Sequence, residues 1–249
     1  MIRIESLLKN FDSKCAVDIP AYTVPSGRLL GLVGNNGAGK STLFRLMLDL
    51  LKADRGNVWI DSTDVSRSED WKTFVGAFID ESFLIDYLTP EEFFSFVGHV
   101  HGLSSEEVTE RLASFERLMN GKIMNQQKYI RNFSAGNKQK IGIIAAMLHR
   151  PRLLILDEPF NFLDPSSQTA VKHLLKQYNQ EFGATVIVSS HNLNHTIDLC
   201  SHIALMEQGH ILHDLDNKDA SAKQLLESYF DTPELTAPSK EEQNTPTED

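Results

Sequence analysis

The stretch Gly34-Asn35-Asn36-Gly37-Ala38-Gly39-Lys40-Ser41 fits the pattern G-x-x-x-x-G-K-[ST]. It follows an apolar run over 28–33 that predicts a strand, and a helical pattern starts at Lys40. Glycines let the backbone curl so that several N–H groups point at one phosphate, and the start of the helix adds a partial positive charge. We therefore predict a polyphosphate site. Lys40 is expected to reach the β and γ phosphates, and the Ser41 hydroxyl, with Thr42 beside it, to hold Mg²⁺.

Two carboxylates follow a buried strand later in the chain. Residues 153–156 are Leu-Leu-Ile-Leu, and Asp157 and Glu158 come directly after them. In a sheet that also carries a phosphate loop, Asp157 is expected to anchor the Mg²⁺ shell through water. Glu158 is expected to orient or deprotonate an attacking water. The two segments together predict hydrolysis of the bound polyphosphate.

Short apolar runs alternate with longer helical patterns, which predicts an α/β fold with a largely parallel sheet flanked by helices. Between about residues 83 and 150 the patterns predict helices and no strand, so we expect a helical segment inserted into a core formed by about 1–82 and 151–230. Strands are expected at 28–33, 57–60, 74–79, 153–156, 184–189 and 202–206. Helices are expected to follow Lys40, Pro90, Ser104, Gly136, Pro165, Asn194 and Lys218.

The composition excludes several classes of protein. The chain has 249 residues with 34 acidic and 24 basic side chains, for a net charge of -10, which argues against nucleic-acid binding as the main role. Residues 231–249 carry six of the acids, one base and three prolines, which predicts a disordered acidic tail. No apolar run approaches the roughly 18–20 residues of a spanning helix, and the N-terminus is not a signal peptide. Two distant cysteines fit a cytoplasmic protein.

The ordered set of motifs resembles an ATP-binding cassette (ABC) ATPase, the motor subunit of ABC transporters, over about residues 1–230. The phosphate loop is followed by a signature-like Phe133-Ser134-Ala135-Gly136-Asn137, then by the strand that ends in Asp157 and Glu158. The turn Asn161-Phe162-Leu163-Asp164 resembles the D-loop, and His191 follows the strand predicted at 184–189. The resemblance implies a phosphate-loop NTPase core of the RecA type, with an N-terminal antiparallel β subdomain and an inserted helical subdomain.

The resemblance also implies roles for single residues. Ser134, Ala135, Gly136 and Asn137 would contact the γ-phosphate of ATP held by a second chain, in a head-to-tail homodimer or heterodimer with two Mg-ATP between the chains. Asn161 and Asp164 would lie at that dimer interface. His191 would contact the γ-phosphate. Phe11 either stacks on the adenine or belongs to the core of the N-terminal sheet.

Asp80 is a departure from the family pattern. It ends the strand predicted at 74–79, where the family normally has a Gln that touches Mg²⁺ and the water and links the site to the membrane subunit. Aspartate is a hard oxygen ligand and can hold Mg²⁺, although its charge lies near the γ-phosphate. The alternative is an ordinary aspartate at the end of a strand, with the coupling role lost.

The resemblance implies an ATPase subunit that drives a separate integral membrane subunit, bound peripherally at the inner face of the cell membrane. An apolar run over 83–96 is expected to form core and a groove for a helix of that subunit. The compact motifs look most like export cassettes of the ABC-2 group. The alternatives are a soluble ABC ATPase in assembly, such as iron–sulfur cluster assembly, and a weakly hydrolysing ATP switch. A GTPase is not supported, because Asn217-Lys218-Asp219-Ala220 does not fit N-K-x-D.

Overall fold

The computed structural model describes residues 1–217, 224–226 and 228–229. Its strands form two sheets, and all six strands predicted from the sequence are present within a residue or two of their expected ends. The strands are β1 Ile2–Phe11, β2 Lys14–Val24, β3 Leu29–Val33, β4 Arg55–Ile60, β5 Thr63–Asp64, β6 Val75–Phe78, β7 Leu153–Leu156, β8 Thr185–Ser190, β9 His202–Glu207 and β10 His210–Asp216. The α-helices are α1 Lys40–Met47, α2 Pro90–Val100, α3 Ser105–Ala113, α4 Glu116–Met119, α5 Ala135–Met147, α6 Pro165–Phe182 and α7 Leu193–Leu199.

The larger sheet has the strand order β10-β9-β3-β8-β7-β6, and its strands are parallel except for β10. Every residue of β3, β7 and β8 is buried, as expected for strands covered on both faces. The register pairs Val33 with Ser190 and Leu156 with Val188. Because parallel strands end at the same edge, the segments that follow β3, β7 and β8 meet there. This edge carries the phosphate loop, the two carboxylates and His191.

The smaller sheet is antiparallel, with the order β2-β1-β4-β5. Its presence agrees with the predicted N-terminal antiparallel subdomain. The six predicted strands did not include β2 or β10. Pro20 lies inside β2, and proline weakens a strand pattern. β10 is mostly exposed and polar, so it lacks the apolar alternation that reveals a half-buried strand.

Residues 83–150 contain helices and no strand. Helices α2 and α3 both begin with a capping box, formed by Thr89 with Glu92 and by Ser104 with Glu107. Helix α5 is buried on nearly all sides and packs on β6, and a Cβ at Gly142 would lie 2.2 Å from the Phe78 ring. The inserted segment is thereby fixed to the edge strand of the larger sheet. Its treatment as a separate subdomain remains a prediction.

Two expectations concern the end of the chain. The predicted helix after Lys218 begins outside the described residues, although 224–226 and 228–229 are helical. The acidic tail predicted at 231–249 also lies outside them. Within the described part of the chain, the search for a helix with the length and apolar character of a membrane span finds none.

Candidate ATP-hydrolysis site

Glycines shape the phosphate loop between β3 and α1. Gly37 and Gly39 have φ values of +85° and +106°, a region that other residues rarely adopt. A Cβ at Gly34 would lie 2.2 Å from the Met206 carbonyl oxygen, and one at Gly39 would lie 2.3 Å from that of Ala16. The loop is therefore packed tightly against both sheets. Helix α1 begins at Lys40 and leaves its first N–H groups free to face a ligand.

Lys40 folds back over this loop and is 6% exposed. Its Nζ donates hydrogen bonds to the carbonyl oxygens of Gly34 at 2.7 Å and Asn35 at 3.2 Å. The same Nζ lies 3.7 Å from Glu158 Oε1. Burial lowers the pKa of Lys40, while the Glu158 and Asp157 carboxylates oppose that shift. The ammonium group thus lies between the loop and the carboxylates that follow β7.

The two carboxylates are held in place by residues that the motif search did not single out. Ser189 Oγ, at the end of β8, donates a hydrogen bond to Asp157 Oδ1 and accepts one from the Glu158 N–H at 2.8 Å. Gln139 Nε2, on α5, donates to the Glu158 carbonyl oxygen at 3.2 Å. Glu158 itself has a φ of +45°, a sparsely populated conformation for this residue. Two other elements therefore fix its backbone while its carboxylate extends into the site.

His191 lies beside Glu158, with 3.0 Å between His191 Nδ1 and Glu158 Oε2. The structure thus brings Lys40, Glu158 and His191 into one row, although Lys40 and His191 are 151 positions apart in the sequence. The histidine side chain remains 46% exposed, so its far edge is open to a ligand. One carboxylate lies between two nitrogen bases, an arrangement able to orient it toward a water molecule.

A cavity of about 290 Å³ opens over the phosphate loop. Its walls include the predicted residues Asn36, Gly37, Ala38, Gly39, Lys40, Ser41, Thr42, Phe11 and Glu158, together with Lys14 and Ala16, which the sequence analysis did not predict. Phe11 is about half exposed at the rim, and Lys9 Nζ lies 5.7 Å from the centre of its ring. An exposed ring beside a phosphate loop is suited to stack on a base rather than to fill a core.

Asp80 is engaged by groups outside the cavity walls. Its Oδ2 accepts a hydrogen bond from Arg45 Nη2 at 2.8 Å, and its Oδ1 accepts one from the Ser82 N–H at 2.8 Å. Burial raises the pKa of Asp80, but the hydrogen bonds from Ser82 and Arg45 outweigh burial and keep the pKa below its ordinary value. Arg45 lies on α1, one turn beyond Ser41. Both carboxylate oxygens of Asp80 therefore have protein partners.

The signature-like residues lie at the start of α5. Ser134 caps the helix by accepting a hydrogen bond from the Asn137 N–H at 3.4 Å. A Cβ at Gly136 would lie 2.5 Å from the Phe162 carbonyl oxygen, so α5 begins in direct contact with the D-loop-like turn. None of the described residues that line the phosphate-loop cavity belongs to 134–137. The signature-like residues are thus not part of this cavity within one chain.

Asp164 caps helix α6 rather than reaching the cavity. It accepts hydrogen bonds from the hydroxyl groups of Ser166 and Ser167, and these bonds hold its pKa well below the ordinary value. Asn161 lies in the preceding turn, where its N–H donates to the Glu158 carbonyl oxygen at 3.1 Å. The turn that contains Asn161 and Asp164 is therefore continuous with Glu158.

Comparison with known proteins gives the class. A family model described as ABC transporter matches residues 18–161, and a model for an AAA domain of a putative AbiEii toxin matches 125–198. The bacitracin transport ATP-binding protein BcrA of Enterococcus faecalis is 30% identical, over 93% of this chain and 74% of its own length. The linearmycin resistance ATP-binding protein LnrL of Bacillus subtilis is 33% identical, over 85% of this chain and 68% of its own.

Solved structures agree with this class. An ATP-binding subunit of an ABC transporter superposes with a TM-score of 0.81 at 25% identity, over 92% of this chain and 98% of that one. The dimeric, post-hydrolysis cassette MJ0796 bound to ADP and Pi has the same fold, with a TM-score of 0.78 at 22% identity, over 88% of this chain and 100% of that one. The chain belongs to the ABC transporter family. It is an ATP-hydrolysing, ATP-binding subunit of that family.

Proposed function

We propose that Glu158 is the general base of ATP hydrolysis in this chain, held in position by His191. The observation that carries this assignment is the placement of the Glu158 carboxylate 3.0 Å from His191 Nδ1 and 3.7 Å from Lys40 Nζ. In the proposed step a water oxygen bonds to the γ-phosphorus as the bond to the β,γ-bridging oxygen breaks. The water proton passes to Glu158, and the products are ADP and phosphate. Lys40 leaves the carbonyl oxygens of the loop to neutralise the phosphates.

Mg²⁺ fits the oxygen donors at this edge of the sheet. Ser41 supplies a hydroxyl from the cavity wall, and Asp157 supplies a buried carboxylate beside it along the sheet edge. Hydroxyl, carboxylate and water oxygens are the ligands that Mg²⁺ prefers. We assign the metal to Ser41 directly and to Asp157 through water, where the ion would neutralise charge on the triphosphate. Asp80 is a weaker candidate, because Arg45 and Ser82 already use its oxygens.

The site is completed by a second cassette. The cavity over the phosphate loop is open, and the described walls do not include Ser134, Gly136 or Asn137. These residues begin a helix of 13 residues, so their N–H groups can receive a phosphate from outside the chain. A head-to-tail pair would place each signature against the nucleotide of its partner. Relatives of known structure that form dimeric cassettes support this arrangement.

An apolar groove on the other side of the phosphate loop fits a helix of a membrane subunit. It has a volume of about 360 Å³ and lies among β6, α2 and α5. Three of its large apolar side chains are exposed: Leu50 by 56%, Phe96 by 50% and Ile85 by 38%. A groove of this kind buries the apolar face of an amphipathic helix. Relatives named for bacitracin transport and linearmycin resistance support export and do not favour a role in cofactor assembly.

Membrane fractionation of the source cell tests this placement at the inner face of the membrane. The wild-type chain should sediment with membranes, and Phe96→Glu should move to the soluble fraction, since a buried unpaired charge is costly. Leu212→Glu is the matched control, because Leu212 is also exposed but lies on β10 at the opposite edge of the sheet. Both purified variants should retain the basal ATPase rate. A wild-type chain found entirely in the soluble fraction would contradict the docking proposal.

A further inference from the structure

Phe162 has two features that a folded chain seldom combines. Its φ is +63°, a left-handed conformation that a bulky residue adopts only with strain. Its side chain is also 73% exposed, the largest exposure among the large apolar residues of the described chain. Strain is ordinarily offset by burial of the side chain. In the described chain the ring of Phe162 gains little from burial.

The surrounding turn holds Phe162 in this conformation. The Leu163 N–H donates a hydrogen bond to the Phe160 carbonyl oxygen at 3.4 Å, which closes the turn around Asn161 and Phe162. Gln168 Nε2 donates to the same oxygen at 3.2 Å. On the far side, the cap by Asp164 fixes the start of α6. The turn is thus determined from both ends, and the ring is presented as a fixed surface feature.

The position of the turn identifies the surface. The carbonyl oxygen of Phe162 lies where a Cβ of Gly136 would otherwise come within 2.5 Å, so Phe162 is in contact with the start of α5. On the proposed function, this helix start faces the nucleotide of a second cassette. The ring of Phe162 therefore lies on the surface that a second chain would cover. An aromatic residue at such a place supplies a large apolar area and loses little side-chain entropy on binding.

We propose that Phe162 is an apolar anchor of the interface between two copies of this chain, and that dimer formation buries its ring. This inference rests on the proposed head-to-tail dimer. The strained backbone then serves the dimer at the expense of the monomer. In a homodimer with two-fold symmetry each ring is used once per chain, so the loss of one side chain type removes two contacts. The effect of substitution on dimer formation should therefore be large.

The test uses Glu158→Gln as the parent, because unhydrolysed ATP then holds the two chains together. Sedimentation in Mg-ATP measures the dimer dissociation constant, and thermal unfolding without nucleotide measures monomer stability. Phe162→Gly should raise the monomer Tm, because glycine accepts a positive φ without strain, and should weaken the dimer at least tenfold. Phe162→Asn, which also tolerates this region, should weaken the dimer similarly. Phe162→Tyr should retain the parent affinity, and Phe96→Ala in the docking groove should leave it unchanged.

The possible results separate the two proposals. A parent that dimerises with ATP but loses no affinity on Phe162→Gly would overturn the role of Phe162 and leave the composite site intact. A parent that remains monomeric with ATP bound would overturn the symmetric dimer, and with it this inference. Dimer formation only with a different cassette chain would contradict the assignment of a second copy as the partner. A lower monomer Tm for Phe162→Gly would show that the ring is structural.

Discussion

The carboxylate of Glu158 lies 3.0 Å from the imidazole Nδ1 of His191. We expect His191→Ala to reduce kcat by about 10²-fold while ATP affinity changes little, because the histidine acts by positioning Glu158. Steady-state kinetics and equilibrium nucleotide binding separate these two effects. The double variant with Glu158→Gln serves as the control. If the two residues act as a unit, it should be hardly slower than Glu158→Gln alone, whereas fully additive losses would contradict a shared role.

Lys40→Ala should abolish tight ATP binding. The ammonium group reaches the loop carbonyl oxygens of Gly34 and Asn35, where it can neutralise the phosphates, and an alanine supplies no charge there. Calorimetry should show the dissociation constant for ATP raised by about 10²-fold or more, equivalent to about 2.7 kcal/mol. Lys14→Ala is the matched control, because Lys14 lines the same cavity from an exposed position. An unchanged ATP affinity in Lys40→Ala would contradict the phosphate-binding role.

Arg45 and Asp80 form an ion pair beside the phosphate loop, with 2.8 Å between Nη2 and Oδ2. Removing the cation by Arg45→Gln should leave an unbalanced carboxylate near the triphosphate and slow turnover. Pairs with this exposure are worth about 0.2–1 kcal/mol, so we expect a change of up to about fivefold. Asp80→Asn in the same background should restore the rate. If Asp80 instead holds Mg²⁺, then Asp80→Asn alone should lower the apparent Mg²⁺ affinity and turnover.

His149 should make the fold sensitive to acid. Its ring stacks on that of His101, with 3.6 Å between centroids, in the floor of the docking groove. Burial first, and then the charges of His101 and Arg111, lower the pKa of His149 to about 4, while the backbone of Val75 opposes the shift. The folded state therefore disfavours the charged ring. Its contribution to stability is complete above pH 6.5 and is lost as the pH falls toward 4.

Denaturant unfolding at pH 7 and pH 4.5 checks this prediction. His149→Phe keeps a flat ring against His101 but cannot take up a proton, so it should recover up to about 3 kcal/mol of the stability lost between the two pH values. His210→Phe is the control, because His210 is exposed on β10 and should leave the loss unchanged. Equal pH dependence in His149→Phe and the wild type would contradict the assignment.

The sequence predicted the parts of the site that depend on local patterns. The phosphate loop requires glycines at fixed positions, and a strand such as Leu153–Leu156 is apparent from its uninterrupted apolar run. Contacts between distant segments could not be predicted in this way. Ser189 is 32 positions from Asp157, and Arg45 is 35 positions from Asp80, so only the packed sheet edge brings each pair together. The strain at Phe162 likewise depends on backbone angles that its residue type disfavours.

Glu158→Gln provides the most direct test of the central claim, that Glu158 drives hydrolysis of an ATP shared by two chains. The amide keeps the shape of the side chain but cannot accept the proton of water, so ATP should persist and hold the chains together. Light scattering in Mg-ATP should give about twice the mass of one chain, and in ADP the mass of one chain. Adding Ser134→Arg should return the ATP form to a monomer. A Glu158→Gln protein that remains monomeric with ATP bound, both alone and with candidate partner cassettes, would contradict the account.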